Sequence, residues 1–288
     1  MLIDLQIHSN YSDGYLTPTE VVRFLAKQGV KTAALTDHNT VGGTHEFAAA
    51  CLRHNIKPIV GLELYVTLGV KKLNVLWYNF NPASPELHAM LRDSQTRRRT
   101  KARAILELMV KDGFVININK VLDKYNHYVS INHVIDDICA HPVNRKKIQK
   151  ELGHSRPREE EIIKRYFFSK IHPRFNNSYI DIKRVIALRK KIGGQLVFNH
   201  PGKYNQLKRD ILVELKKIGI DGIEVLSPHH SIGAVLFAQD LAMQYGFIMS
   251  GGSDFHKFES LPNALITNSW QYYKVEHKML RGVEKIIG

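Results

Sequence analysis

Cysteine is scarce in this 288-residue chain. Cys51 and Cys139 are the two it has, both in helix-like sequence, and no CxxC pair occurs. A disulfide framework and a thiolate zinc site are therefore not expected. No apolar run approaches the roughly 20 residues needed to span a bilayer. The opening MLIDLQIHSNYSDG lacks a basic stretch followed by an apolar one, so no signal peptide is expected and a cytoplasmic location is. A GxSxG nucleophile and a Walker-type phosphate loop are both absent. Acidic residues are in short supply: 27 Asp and Glu stand against 41 Lys and Arg, a net charge of +14. Such a surface attracts polyanions, with nucleic acid or a phosphorylated small molecule first among them, although a merely soluble basic protein would also carry it.

What is present is an alternation of strand and helix. Leu2–Ile7 suits a buried strand and is followed by a polar turn, Ser9 to Gly14. Thr17-Pro18-Thr19-Glu20 is a helix start, with a Thr cap, Pro at the first helical position and Glu three residues after the cap. That helix is expected to run to about Gln28. Lys31–Leu35 is the next strand, a second helix covers about Gly43 to His54, and Pro58–Val66 and Leu73–Tyr78 are further strands. The alternation argues for a parallel α/β sheet or barrel. From about Pro85 to Ile192 the chain is mostly helical and strongly basic, with one strand-like run at Phe114–Ile118. A long helical stretch opens at Arg97 and ends near Gly113, and others begin near Ile131, Glu159 and Tyr179. Alternation resumes with Leu196–Phe198, Gly222–Leu226 and Phe247–Met249, followed by NHPG, SPHH and GGSDFH. The expected architecture is an α/β barrel, residues 1–90 plus 193–288, interrupted by a basic helical insertion, residues 91–192.

The histidines and acids fall at the ends of these strands. His8 and Asp13 follow the first strand, Asp37 and His38 the second, and Glu63 lies within the third. His200 follows a late strand, and Asp254 and His256 follow the last. In parallel α/β folds the carboxyl ends of the strands share one face, so these side chains are expected to converge. Taken singly, Asp13 suits a turn, Asp37 suits a helix cap better than ligation, and His8 or His200 suits a hydrogen-bonded histidine. His229 and His230 suit a lining of the rim. Glu63 in an apolar strand needs a partner if buried. Together the carboxylates would repel one another, and divalent cations resolve that repulsion; imidazole with carboxylate suits Zn, Mn or Fe.

The segments DLQIHSNYSDG, ALTDHNT, VGLEL, NHPG and GGSDFH resemble, in order and spacing, the motifs of the PHP (polymerase and histidinol phosphatase) family. The resemblance covers nearly the whole chain and is closest to the stand-alone bacterial branch. It implies a distorted (β/α)7 PHP barrel with a helical insertion domain, holding one to three divalent ions. It implies His8, Glu63 and Asp254 as ligands of one ion, Glu63 and His200 of a second, and Asp13, His38 and His256 of a third. Catalytic roles fall to His200, Asp254 and His256, and Arg98, Lys101 and His133 resemble the part that grips substrate phosphate. The implied activity is hydrolysis, by a metal-activated hydroxide, of 3′,5′-bisphosphonucleotides or of short RNA in the 5′–3′ direction. Two positions depart from the pattern: Gln6 and Asn74 stand where the family carries histidine. Their amides are neutral and harder donors, better suited to Mn or Mg than to zinc, so one firm ion and one or two weak ones are expected. The same departures motivate an alternative, a degenerate domain that binds nucleic acid or a protein partner without catalysis. Amide hydrolysis in the same barrel is disfavoured by the basic insertion.

Overall fold

The computed structural model describes residues 1–168, 178–203, 205–258 and 273–288. The chain divides into two compact units, one made of Met1–Leu87 with Ile180–Gly288 and the other of His88–Tyr179.

The first unit is organised by a mixed sheet. Strands β1 (Leu2–Ile7), β2 (Val30–Leu35) and β3 (Lys57–Leu68) run parallel. β3 turns back into an antiparallel β4 (Lys71–Tyr78) through Gly69 and Val70, with Gly69 at φ +59°. β5 (Ile180–Asp181) pairs with β3, and β6 (Gln195–Phe198) lies antiparallel to β4. β7 (Gly222–Leu226) and β8 (Ile248–Gly251) then continue in parallel, and β9 (Val275–Glu276) borders β1. Beyond β8 the chain returns to β1. Asp254 N–H donates to the Gln6 carbonyl and His8 N–H to that of Phe255, both at 2.9 Å. Seven strands thereby close on themselves. The closure depends on Gly252, where a Cβ would lie 2.4 Å from the Gln6 backbone nitrogen.

The reversal of β4 corrects the all-parallel expectation. A parallel crossover needs a dozen or more residues, and two residues between β3 and β4 permit only a hairpin. One consequence is functional. Six barrel strands end at one rim while β4 begins there, so Asn74 reaches the same rim from the opposite direction. Period-2 alternation explains the interior: Ile3, Leu5 and Ile7 alternate with Asp4, Gln6 and His8, and all six are buried. Outside β1 and β2, helices α1 (Pro18–Lys27) and α2 (Thr44–Arg53) supply Val21, Val22, Leu25, Phe47 and Cys51 to an apolar layer with Leu35 and Phe255. α1 starts with the expected capping box between Thr17 and Glu20. Helices α8 (Ile182–Ile192), α9 (Arg209–Ile218) and α10 (Ile232–Tyr245) belong to the later crossovers.

The second unit is helical: the greater part of α3 (Pro85–Lys111), then α4 (Ile118–Asp123), α5 (Ile131–Ala140), α6 (Pro142–Leu152) and α7 (Glu159–Ile162), with a π turn over Ile163–Phe167. α3 begins twelve residues before Arg97, so RRRTKAR lies inside a helix rather than opening one. Its core is apolar, with Ile105, Leu106, Met109, Phe114, Leu122, Ile135, Ile138 and Phe167 nearly inaccessible. The strand expected at Phe114–Ile118 does not form. Asn144 takes the place of a strand partner: its Oδ1 accepts from Val115 N–H at 2.8 Å and its Nδ2 donates to the Val115 carbonyl at 2.9 Å. Asn117 then caps α4 by accepting from Lys120 N–H. Among the described residues no helix is long and apolar enough to cross a membrane.

Candidate metal centre

Three imidazoles face one carboxylate at the rim. His8 Nδ1 lies 3.6 Å from Asp13 Oδ1, His256 Nε2 lies 3.3 Å from the same oxygen, and His38 Nε2 lies 3.4 Å from Asp13 Oδ2. One ligand atom from each of these four residues falls within 4.8 Å of the others. The loop carrying Asp13 is held by Asp37, which corrects the helix-cap expectation, since the N-cap of α2 is Gly43. Asp37 Oδ1 accepts from Ser9 N–H at 2.7 Å and Ser12 Oγ at 2.6 Å, and its Oδ2 from Ser9 Oγ at 2.6 Å.

A second group adjoins the first through His8, whose Nε2 lies 3.1 Å from Glu63 Oε2 and 3.2 Å from Asp254 Oδ1. His8, Glu63 and Asp254 form a further set of candidate ligands within 4.8 Å. His200 Nε2 is 3.4 Å from Glu63 Oε1. His200 and Asp254 both hold positive φ, +21° and +50°, in non-glycine residues. Such backbone persists where surrounding structure over-determines it. For His200 the fastening is Glu224, whose Oε2 accepts its backbone N–H at 3.0 Å. The amides of the two departing positions point into this group. Asn74 Nδ2 donates to Glu63 Oε1 at 2.6 Å, and Gln6 Nε2 donates to Asp254 Oδ1 at 2.8 Å and Glu63 Oε2 at 3.3 Å.

The electrostatics match a site for cations. Burial works against charge on Asp13, Glu63 and Asp254. Even so, His38, His256 and His8 hold Asp13 well below the usual carboxylate range. His38, His200 and His8 do the same for Glu63, and Lys203, His256, His229 and His8 for Asp254. Burial also opposes charge on His8, but Asp254, Glu63 and Asp13 outweigh it and hold the imidazole well above its ordinary value. Burial pulls His38 down to about 4 against the attraction of Asp13 and Glu63, leaving a neutral ring with a lone pair to offer. Three ionised carboxylates and four imidazoles, all buried except the partly exposed Asp13 and His256, are the nitrogen-and-oxygen donor set that suits Zn, Mn or Fe.

Lys203 and Tyr65 escape sequence reasoning, and His229, expected to line the rim, meets Asp254 there. Lys203 Nζ lies 3.2 Å and His229 Nε2 2.6 Å from Asp254 Oδ2. Tyr65 stacks on His38 with its hydroxyl 3.0 Å from Nε2. The only signal for His229 and Lys203 is that each follows a late strand; nothing in the sequence indicates that both reach Asp254. His230 does not merely line the rim. Its Nδ1 meets the Val225 carbonyl at 2.9 Å and its Nε2 accepts Gly202 N–H at 3.1 Å, tying the loop that carries His200 and Lys203 to β7. Of the residues expected to grip phosphate, all three belong to the second unit. Arg98 is 6% exposed, donates Nε to the Val129 carbonyl at 2.6 Å and lies 4.2 Å over the Tyr128 ring. Lys101 is half-buried on α3. His133 is in the first turn of α5, its N–H donated to the Ser130 cap.

The PHP domain family matches residues 4–91. The chain is 29% identical over 261 residues to the 3′,5′-nucleoside bisphosphate phosphatase of Chromobacterium violaceum, covering 88% of this chain and 87% of that protein. It is 25% identical over 268 residues to the phosphoribosyl 1,2-cyclic phosphate 1,2-diphosphodiesterase of Eggerthella lenta, covering 91% and 97%. It is 27% identical over 257 residues to a 5′-3′ exoribonuclease of Haemophilus influenzae, covering 88% and 89%. A crystal structure from Bifidobacterium adolescentis shares the fold, with a TM-score of 0.73, 21% identity and coverage of 94% and 93%. Residues 4–91 match the PHP domain, and the motifs and rim geometry agree with that match and with these relatives.

Proposed function

We propose that this chain is a 3′,5′-bisphosphonucleotide phosphatase, with 5′–3′ hydrolysis of short RNA as the second form of the same chemistry. Metal-dependent hydrolysis of phosphoric esters is the common ground of the reading. The observation that carries it is the convergence of Asp13, Glu63 and Asp254, ionised and buried, with His8, His38, His200 and His256 at one rim. The choice of substrate rests on the bisphosphate phosphatase and exoribonuclease among the relatives.

In this reading His8, Asp13, His38 and His256 would hold a divalent ion, with Glu63, His200 and Asp254 as the adjoining candidate ligands across His8. Divalent ions held there would supply positive charge to the phosphate oxygens and would acidify water at the site to a pKa of roughly 7. His200, Asp254 and His256 line the mouth and orient the phosphoryl group between them. Asp254 holds the ring of His229 through Nε2, and His229, a third exposed, moves a proton to the leaving oxygen from its other nitrogen. Arg98, Lys101 and His133 are assigned to substrate phosphate, within a basic unit expected to serve as the substrate-binding insertion. A domain that only binds nucleic acid is not favoured, because buried ionised carboxylates repel phosphate unless cations intervene.

A time course with a 3′,5′-bisphosphonucleotide and a short 5′-phosphorylated RNA, each with manganese, tests the proposal. Release of inorganic phosphate from the bisphosphonucleotide at the higher kcat/KM is expected. Absence of turnover with Mn, Zn, Fe or Mg from folded protein, alongside retained RNA affinity, would overturn it in favour of a binding domain.

A further inference from the structure

The three carboxylates of the rim are satisfied in different ways. Asp13 meets imidazole nitrogens on both oxygens, from His8, His256 and His38, and its Oδ1 also accepts from the Ser12 hydroxyl at 3.2 Å. Glu63 and Asp254 meet groups that cannot release their protons to make room for an ion. Glu63 Oε1 takes the Asn74 amide and Glu63 Oε2 the Gln6 amide. Asp254 Oδ1 takes the Gln6 amide, and Asp254 Oδ2 takes the Lys203 ammonium beside His229. The orientation of Gln6 follows from the carboxylates. Turned the other way, its carbonyl oxygen would face two anions. As it stands, Nε2 bridges them and Oε1 is buried without a hydrogen-bond partner. Leaving that acceptor unsatisfied is the lesser penalty.

An imidazole exchanges a proton for a metal ion; an amide N–H and an ammonium do not. Ions compete on equal terms only where every donor facing the carboxylate can become a ligand as it stands; this does not describe Asp254, whose Lys203 ammonium has no lone pair, and at Glu63 the amides must first rotate to present their carbonyl oxygens. Lys203 also has the reach and position of a phosphate contact. It stands three residues after His200, its side chain is 30% exposed while Asp254 is nearly covered, and lysine binds phosphate as a point charge.

We propose that this chain works with one tightly held divalent ion, at Asp13, His38 and His256 with His8, and that Lys203 is the fixed cation that replaces a further ion beside Asp254. The Gln6 and Asn74 amides complete the replacement by satisfying Glu63. Lys203 thereby supplies the second positive contact to the phosphoryl group. This rests on the phosphoesterase reading for its catalytic half only; the ion count stands by itself.

Isothermal titration of the metal-free full chain with manganese and with zinc, paired with elemental analysis after gel filtration, measures the count. About one equivalent is expected for the native sequence. The double variant Gln6→His/Asn74→His is expected to take up at least one more, since each new imidazole can become a ligand. Lys203→Met is expected to keep one equivalent at an unchanged Kd while kcat falls by about 10²-fold, the order for losing one group that stabilises charge at a reacting centre. Two or three equivalents of similar affinity in the native chain would overturn the proposal, and so would a Lys203→Met variant that turns over normally. If no phosphoester is turned over at all, the phosphoesterase reading fails, and the titration still decides the ion count.

Discussion

Glu63 and Arg98 are both ionic and both withdrawn from water, at 0% and 6% exposure, yet they are surrounded in opposite ways. Glu63 faces donors delivered by β1, β4 and the loops after β1 and β6, residues far apart in sequence. Arg98 meets the Val129 carbonyl and the Tyr128 ring, neighbours in one short segment of its own unit. The difference extends across the two units. In the barrel unit, acids and imidazoles are concentrated at a single rim, where mutual repulsion calls for cations. In the helical unit, residues 88–179 carry 19 Lys and Arg against 10 Asp and Glu, a net +9 of the chain's +14. Most of that charge surrounds an uninterrupted apolar core. Charge is thus concentrated at one rim in one unit and spread over the helices of the other.

Asp13→Asn gives the largest expected effect on this contrast. Removing the carboxylate on which three imidazoles converge should lower turnover by about 10³-fold and abolish tight ion binding, seen by kinetics and titration. Retained ion binding would show that the rim is not focused on Asp13. Cysteine alkylation compares the units more directly. Burial pushes the Cys51 thiol up to about 12, so at pH 8 it should react about 10³-fold more slowly than a free thiol until the barrel unit opens. Mass spectrometry should find Cys139, half-buried in the helical unit, labelled first. Labelling of Cys51 first would mean that the barrel is the looser unit.

Arg98→Met should destabilise the helical unit by about 1–3 kcal/mol, because the Val129 carbonyl loses a charged donor. Limited proteolysis within residues 88–179 reads that loss. A raised KM with unaltered protease resistance would make Arg98 a substrate contact alone. The smallest effect concerns Glu151. Burial opposes its charge, but Lys147 at 2.9 Å and the Tyr166 hydroxyl at 2.8 Å outweigh burial and hold its carboxyl below the usual range. A depressed carboxyl contributes stability above its unfolded pKa, near 4.3, and loses it as pH falls through the lower folded value. Glu151→Gln should therefore flatten the decline in melting temperature on the acid side of about pH 4.

Much of the barrel could be read from residue order alone. The β1 alternation, the Thr17 capping box and the placement of His8, His38, His200 and His256 after strands are local or periodic properties, and the structure brings these histidines to one rim. Less legible were the features set by pairing across the barrel. The reversal of β4 was not legible, because the expected strands left six residues between Val66 and Leu73 and only the longer strands of the structure narrow the connection to Gly69 and Val70. The strand expected at Phe114 failed because Asn144, 29 residues away, satisfies the Val115 backbone. Asp37 was read as a helix cap, and its role as the clasp of the Ser9–Ser12 turn was not legible, because Ser9 and Ser12 lie 28 and 25 residues away. Lys203 and His229 meet at Asp254 only because β6, β7 and β8 are adjacent and parallel, which no spacing in the sequence announces.

The central claim is that the rim is a metal-dependent phosphoesterase centre, and the most direct measurement is phosphate release from a 3′,5′-bisphosphonucleotide by chelator-treated protein titrated with manganese. The account predicts no release without metal, full recovery on adding it, and no recovery in Asp13→Asn. Release that persists in chelator, or that Asp13→Asn leaves intact, would contradict it.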